Sequence, residues 1–251
     1  MRYAVLSDVH SNLEALIAVL GALASERIDR YLCLGDVVGY GADPVPCLTR
    51  LQSCDTVIVA GNHDYAAVGK LDAGLFNDAA RAAVLWTRDQ LSIADLDQLR
   101  RFPLTATVES FTLAHGTLRH PQRFEYLAEI GQAVDTLVTC RTLICLVGHT
   151  HVPCLLEYDR LQRRMLRILT APGELADVEF APEPERLRYL VNPGSVGQPR
   201  DGDPRASFAV IDTDARRISI RRVAYDVETA QRKIRQAGLP GFLADRLAIG
   251  R

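Results

Sequence analysis

Histidine is scarce in this chain, and most of it is concentrated in a few short polar motifs. The six histidines are His10, His63, His115, His120, His149 and His151. All but His120 fall in Asp8-Val9-His10, Gly61-Asn62-His63-Asp64, His115-Gly116 or Gly148-His149-Thr150-His151, and Gly35-Asp36 adds a further carboxylate. Together these offer oxygen and imidazole donors and no thiolate. Such a set suits manganese, iron, nickel or zinc better than an all-oxygen calcium cage. In the Asp8–His10 and His149–His151 pairs, alternate residues at a strand end project to the same side. A glycine before Asp36, Asn62 and His149 permits a tight turn and close backbone approach. Singly the motifs say little: a D-x-H is usually a surface turn, and a lone His115 is more often structural. Their joint occurrence, in order, points to a metal site.

The elements that must position these residues are readable from periodicity. Each motif follows an apolar run: 2–7 before Asp8, 31–34 before Gly35, 56–60 before Gly61, 112–114 before His115 and 142–147 before Gly148. Strands are expected there. In an open α/β sheet, ligand sites form beyond the carboxyl ends of the strands, so the motifs converge on one edge. Leu13, Leu16, Ile17, Leu20 and Leu23 lie at helical spacing, and Ser11-Asn12-Leu13-Glu14 reads as a capping box. Asp43-Pro44 suits the start of a second helix through about Leu51. Residues 66–101 look helical, most clearly from Ala79 to Leu91, and Phe124 to Val138 reads as another helix. Later runs at 154–158, 165–170, 187–191, 207–212 and 217–224 read as strands, and 226–236 as a last helix. Pro172 to Arg186 reads as a surface loop. This order predicts an α/β chain in layers around one core, a single domain over 1–251 with a helical region at about 66–101.

Composition excludes several function classes. Hydrophobic residues make up 48% and charged residues 24% of the 251, with a formal net charge of −2. That gives no global electrostatic case for a nucleic-acid or anionic-membrane partner and leaves a local basic groove open, but no basic stripe with interleaved aromatics supports nucleic-acid tracking. The opening Met1-Arg2-Tyr3-Ala4-Val5-Leu6 lacks a signal-peptide pattern, and no apolar run approaches the roughly 20 residues that span a bilayer. A cytoplasmic location is the expectation. The six cysteines form no C-x-x-C pair and read as reduced, small hydrophobes.

The series D-x-H, G-D, G-N-H-D, a separate His and G-H-T-H, from Asp8 to His151, resembles the calcineurin-like metallophosphoesterase superfamily. Asn192-Pro193-Gly194-Ser195-Val196-Gly197-Gln198-Pro199-Arg200 resembles its small prokaryotic branch, so the likeness covers roughly 1–212. It implies a four-layer α-β-β-α sandwich of two mixed sheets flanked by helices. It also implies two divalent metal ions: Asp8, His10, Asp36 and His151 around the first, and Asp36, Asn62, His115 and His149 around the second. Asp36 would bridge them. The implied reaction is hydrolysis of a phosphate mono- or diester by a metal-bridging hydroxide. His63 would act as general acid, with Asp64 orienting its ring.

Substrate-binding candidates are Arg200, through its guanidinium fork, and Tyr40, in the loop after Asp36. Their alternatives are a surface ion pair of Arg200 with Asp201 or Asp203, and an ordinary packed aromatic. Phosphoprotein phosphatases and dinucleoside polyphosphate hydrolases usually carry an arginine in G-D-x-x-D-R-G and another before G-N-H. Here Gly39-Tyr40-Gly41 and Val59-Ala60 stand in those places. These specialisations remain alternatives, as does a non-catalytic, metal-stabilised interaction module. The expected partner is a small phosphorylated substrate.

Overall fold

Along β1 (Arg2–Leu6), Tyr3 and Val5 face one apolar cluster while Ala4 and Leu6 face another. A strand buried on both faces must lie inside a layered fold, with a neighbour on each side. A computed structural model of the chain, describing residues 1–170 and 177–251, shows those neighbours. The first sheet runs β3 (Val57–Ile58), β2 (Arg30–Cys33), β1, β11 (Ala206–Asp212), β12 (Arg217–Val223), β9 (Asp177–Glu179). The second runs β4 (Thr105–Val108), β5 (Phe111–Ala114), β6 (Ile144–Leu146), β10 (Leu187–Asn192), β7 (Cys154–Asp159), β8 (Arg164–Leu169). Both are mixed. β1, β2 and β3 are parallel, as are β5, β6 and β10, and the remaining pairings are antiparallel.

The layers follow from which residues meet. Tyr3, Val5, Leu32 and Leu34 of the first sheet pack with Phe111, Leu113, Ile144, Leu146, Tyr189 and Val191 of the second. On the outer face of the first sheet, α1 (Leu13–Leu23) and α2 (Pro44–Ser53) cover Ala4, Leu6 and Cys33. On the outer face of the second, α6 (Ile130–Thr139) covers Cys145 and Leu190 through Ala133 and Leu137. The result is the expected four-layer α/β sandwich. Truncating a fully buried residue of the inner layer, such as Leu146, to alanine costs roughly 2–5 kcal/mol.

Helices also crowd the site edge. α3 (Asn62–Ala67), α4 (Asp78–Gln90) and α5 (Ile93–Arg100) fill the region expected to be helical. α7 (Val227–Gln236) and α8 (Gly241–Asp245) pack with α4 around Tyr40. Lys233 of α7 reaches Glu14 of α1 and also Asp43, at 2.8 Å from the latter, which ties the chain's end to the Tyr40 loop.

Several local expectations needed correction. The cap of α1 is Asn12, whose side chain accepts from Ala15 N at 3.1 Å, rather than Ser11. Glu14 is engaged by Lys233 instead of reaching back to the cap. The helix expected from Phe124 begins only at Ile130, because Phe124 takes a left-handed φ of 50°. β4 was missed, although it pairs with β5 through a tight hairpin. β9 lies within the span read as a loop, and the part of that span at 172–176 is outside the described residues. All six cysteines are free.

Candidate metal centre

Seven of the predicted ligands meet where the two sheets' parallel strands end. Asp8 and His10 follow β1, Asp36 follows β2, and Asn62 opens α3 after β3. His115 follows β5, and His149 and His151 follow β6. Asp8, His10, Asp36, His149 and His151 hold positive φ between 49° and 67°. Such backbone is uncommon outside glycine and concentrates at functional sites.

The loop 192–200 stitches these ends together across both sheets. Asn192 donates to Gly148 O and Thr150 Oγ1, each at 2.9 Å. Ser195 Oγ donates to Asp8 O at 2.8 Å, and Asn12 Nδ2 to Gly197 O at 2.8 Å. The glycines of the motifs are required by contact. A Cβ on Gly61 would lie 2.0 Å from Asp36 Oδ1, and one on Gly148 would lie 1.9 Å from Ser7 Oγ.

Every ligand side chain but Asn62 is buried. Each carboxylate has one oxygen anchored and the other aimed inward. Asp8 Oδ2 accepts from Ser7 Oγ at 2.6 Å and His149 N at 3.1 Å, while Oδ1 is buried with no hydrogen-bond partner. Asp36 Oδ1 accepts from His63 N at 2.8 Å, while Oδ2 lies 3.6 Å from His10 Nε2 and 3.3 Å from His115 Nε2. The imidazoles are oriented in the same way. Nδ1 of His10, His115 and His151 faces the carbonyls of Val38, Leu34 and Gln198 at 3.2, 2.7 and 2.6 Å. A proton on Nδ1 leaves the Nε2 lone pair free for a cation, the backing that metal-bound histidines usually have.

The inward atoms form two clusters. Nε2 of His10 and His151 lie 3.1 Å apart, with Asp8 Oδ1 at 3.2 Å from His151. His115 Nε2 lies 3.0 Å from His149 Nδ1 and 3.2 Å from Asn62 Oδ1. Adjacent donors on one ion with bonds of roughly 2.0–2.2 Å stand about 3 Å apart. The unpartnered Asp8 oxygen and the facing lone pairs therefore fit divalent cations. Asp8, His10 and His151 form one group able to hold a metal, Asp36, His115 and His149 another, and Asp36 also groups with His10 and His63.

The electrostatics match. Burial opposes charge on Asp8 and Asp36, but the neighbouring histidines outweigh it and hold both carboxyls below the usual range. His10 and His151 are lowered, chiefly by burial. Burial also lowers His115, but Asp36 and Asp8 overcome it and raise the ring to about 9.

His63 stands beside the clusters. Its ring lies 4.9 Å from that of His10 and 4.3 Å from that of Tyr40, and Nδ1 is buried without a partner. Asp64 does not orient it, contrary to expectation. The Asp64 carboxylate accepts from the amides of Asp36, Val37, Val38 and Gly61 at 2.8–3.2 Å. As the third residue of α3 it turns back onto Gly61 N–H, as a capping acid does. It thereby fixes the backbone that carries Asp36.

Arg200 and Tyr40 come together at the mouth. Arg200 Nη2 donates to Gln198 Oε1 at 3.1 Å and to Tyr40 Oη at 3.4 Å, and Nε has no partner. The alternative ion pairs are taken by others: Asp201 binds Arg222, and Asp203 binds Arg205 at 2.6 Å. Tyr40 is a packed aromatic and also a neighbour of Arg200. The sequence reading missed Tyr126, which stacks on His149 with centroids 3.8 Å apart and planes 18° from parallel. Its segment was read as helix, and no local pattern marked it.

Comparison with known proteins gives the family. The family model for the calcineurin-like phosphoesterase superfamily domain matches residues 1–216, and the chain belongs to that family. It is 37% identical over 252 residues to the uncharacterised protein MJ0912 of Methanocaldococcus jannaschii, covering 99% of this chain and 98% of that one. The crystal structure of a metallophosphoesterase from Sphaerobacter thermophilus is 40% identical, with a TM-score of 0.84 and full coverage of both chains. A hypothetical protein, PH1004, from Pyrococcus horikoshii shares the fold at 19% identity, with a TM-score of 0.76 over 100% of this chain and 98% of that one. No described helix is long and apolar enough to cross a membrane.

Proposed function

We propose that the chain holds two divalent ions and hydrolyses a small phosphate mono- or diester. The observation that carries this reading is the position of Asp36 Oδ2, which lies within 3.6 Å of His10 and 3.3 Å of His115, one from each cluster. Asp8, His10, Asp36 and His151 would hold one ion, and Asp36, Asn62, His115 and His149 the other. Bound there, the ions would supply Lewis acidity towards phosphoryl oxygens and would lower the pKa of water.

The remaining work falls to the chain's own groups. Two carboxylates against two divalent ions leave a net positive centre, which favours an anionic ester. Arg200 binds the phosphate through its free guanidinium edge, with Tyr40 setting the position of that edge. His63 delivers a proton to the departing oxygen. Without metal, burial lowers its ring to about 4, with the Asp36 charge opposing; bound ions would press further against the protonated form the role requires, and the phosphate anion would offset them. A complete ligand set with His63 beside it disfavours a non-catalytic interaction module. We further read 1–251 as one domain, since α7 and α8 pack on Tyr40 at the site.

The test is hydrolysis of bis(4-nitrophenyl) phosphate with and without manganese, together with metal analysis. Wild type should be manganese-stimulated and bind two ions. Asp36→Asn should lose more than the roughly 10–100-fold in affinity or activity that removal of an outer-shell partner costs. Two fully retained ions in that variant would remove the bridging role. Failure to hydrolyse mono- and diesters with any divalent metal would remove the enzymatic one.

A further inference from the structure

Three histidines of the centre each carry an aromatic ring on one side of the mouth. Phe76 packs edge-on to His63 at 4.9 Å, Phe124 edge-on to His115 at 6.0 Å, and Tyr126 stacks on His149 at 3.8 Å. Between them lies a cleft of about 250 Å³, with Asn62, His63 and His149 in its lining. Leu71, Leu75 and Ala80 add apolar surface to its lining, and Tyr40, Asn77 and Arg123 add polar groups. Leu75 is 76% exposed and Tyr126 48% exposed, so two large side chains face water there. Tyr40 lines the same cleft and joins it to Arg200, whose Nη2 donates to the Tyr40 hydroxyl. Tyr126 also neighbours Arg200.

From this lining we infer the substrate class: a phosphate ester whose alcohol carries a flat ring with polar edges, held in the Phe76–Phe124–Tyr126 cleft. The inference rests on the phosphoesterase reading and deepens it. The cleft shares His63 and His149 with the centre, so a group attached to a phosphate bound there extends into it without leaving the site. Its volume is just under the roughly 300–1,000 Å³ of typical small-molecule pockets, which suits one ring system and not a chain of several. A planar ring gains most against the half-exposed Tyr126, with Phe76 beside it and Asn77 and Arg123 for its polar edge, while the phosphate turns towards Arg200. The segments that build the cleft, before α4 and before α6, lie outside the ligand motifs.

The experiment compares adenosine 5′-monophosphate with ribose 5-phosphate, which share the phosphorylated ribose and differ at C1′, adenine against a hydroxyl. Each competes with bis(4-nitrophenyl) phosphate on the manganese-loaded enzyme. The ring should tighten inhibition by at least about tenfold, the scale of one aromatic stacking contact. Tyr126→Leu keeps bulk but removes the flat face, and Leu75→Ser opens the exposed wall with little risk to folding. Both should bring the ratio towards one; the ratio is the readout because Tyr126 also neighbours Arg200 and stacks on His149, so its substitution moves the ribose 5-phosphate constant as well. Equal inhibition by the two compounds in wild type, or a ratio unmoved by both substitutions, overturns the inference. If the chromogenic ester is not hydrolysed, the phosphoesterase reading fails. Calorimetric titration of the same pair into manganese-loaded protein then still reads the ratio and decides the cleft.

Discussion

At the floor of the site, each inward ligand atom belongs to a group whose other end is tied to backbone. Asp36 is fixed by His63 N, His115 by Leu34 O, and His151 by Gln198 O. At the mouth, Arg200, Leu75 and Tyr126 are held by side-chain contacts or face water. The floor is thus preorganised by strand ends and strained turns. The mouth depends on elements that arrive late in the chain or lie between helices. Substitutions should separate the two regions: those at the floor change metal content or chemistry, and those at the mouth change which ester is bound and how tightly, with metal content unaltered.

The sharpest break in that comparison is His63, which lies at the floor and is proposed to bind no metal. His63→Ala should retain its ions and lose kcat by ~10²–10⁴-fold, the usual contribution of a general acid. The loss should shrink for esters with very acidic leaving groups, which need little protonation. Equal losses for good and poor leaving groups would assign His63 to the structure of the floor.

A smaller effect belongs to the mouth. A charged hydrogen bond from a guanidinium is worth roughly 1.5–3 kcal/mol, so Arg200→Ala should lower kcat/KM by about 10–100-fold. Metal content should not change. Arg200→Lys should restore only part, because lysine keeps the charge without the fork. Unchanged steady-state kinetics in the alanine variant, for mono- and diesters alike, would leave the arginine as a partner of Tyr40 alone.

The same division decides what could be read from sequence. Metal chemistry demands particular residue types, and strand ends place them two residues apart, so Asp8–His10 and His149–His151 announce themselves. Tyr3 and Val5 against Ala4 and Leu6 carry a plain period of two. Asp64 was misassigned because adjacency to His63 suggested a partnership, whereas the start of α3 turns its carboxylate back to the amides. Phe76, Phe124 and Tyr126 follow no period and converge only through tertiary packing. β9, three residues long, is held by its pairing with β12 and has too little sequence to show a pattern.

A last effect, spread over several groups, concerns proton linkage at the floor of the metal-free protein. Burial holds His63 at about 4 and His149 at about 3, both below the ordinary 6.5. A histidine depressed in the fold contributes stability that is complete above its unfolded value and lost as pH falls. His115 acts in the other direction, because Asp36 and Asp8 raise it to about 9 against the burial that would lower it. Its contribution is complete below the unfolded value and lost as pH rises through 9. Asp64, raised to about 7 by burial and the Asp36 charge, opposes the acid flank, but the depressed rings outnumber it, so stability without metal should peak near 6.5 and decline on both flanks. Each ring contributes at most about 1.4 kcal/mol per pH unit. The mouth adds nothing in this window, since Arg200 and Tyr40 are both pushed above their already high values. Loading with manganese should remove the alkaline decline, because the ligands bind in their deprotonated forms and metal affinity rises with pH. Urea midpoints measured across this range, with chelator and with manganese, test the point. His115→Gln should lose the alkaline flank of the metal-free curve and keep the acid one. A metal-free wild type whose midpoint keeps rising above pH 6.5 would mean that His115 is not held protonated between Asp36 and Asp8, and that the floor is less tightly charged than its geometry implies.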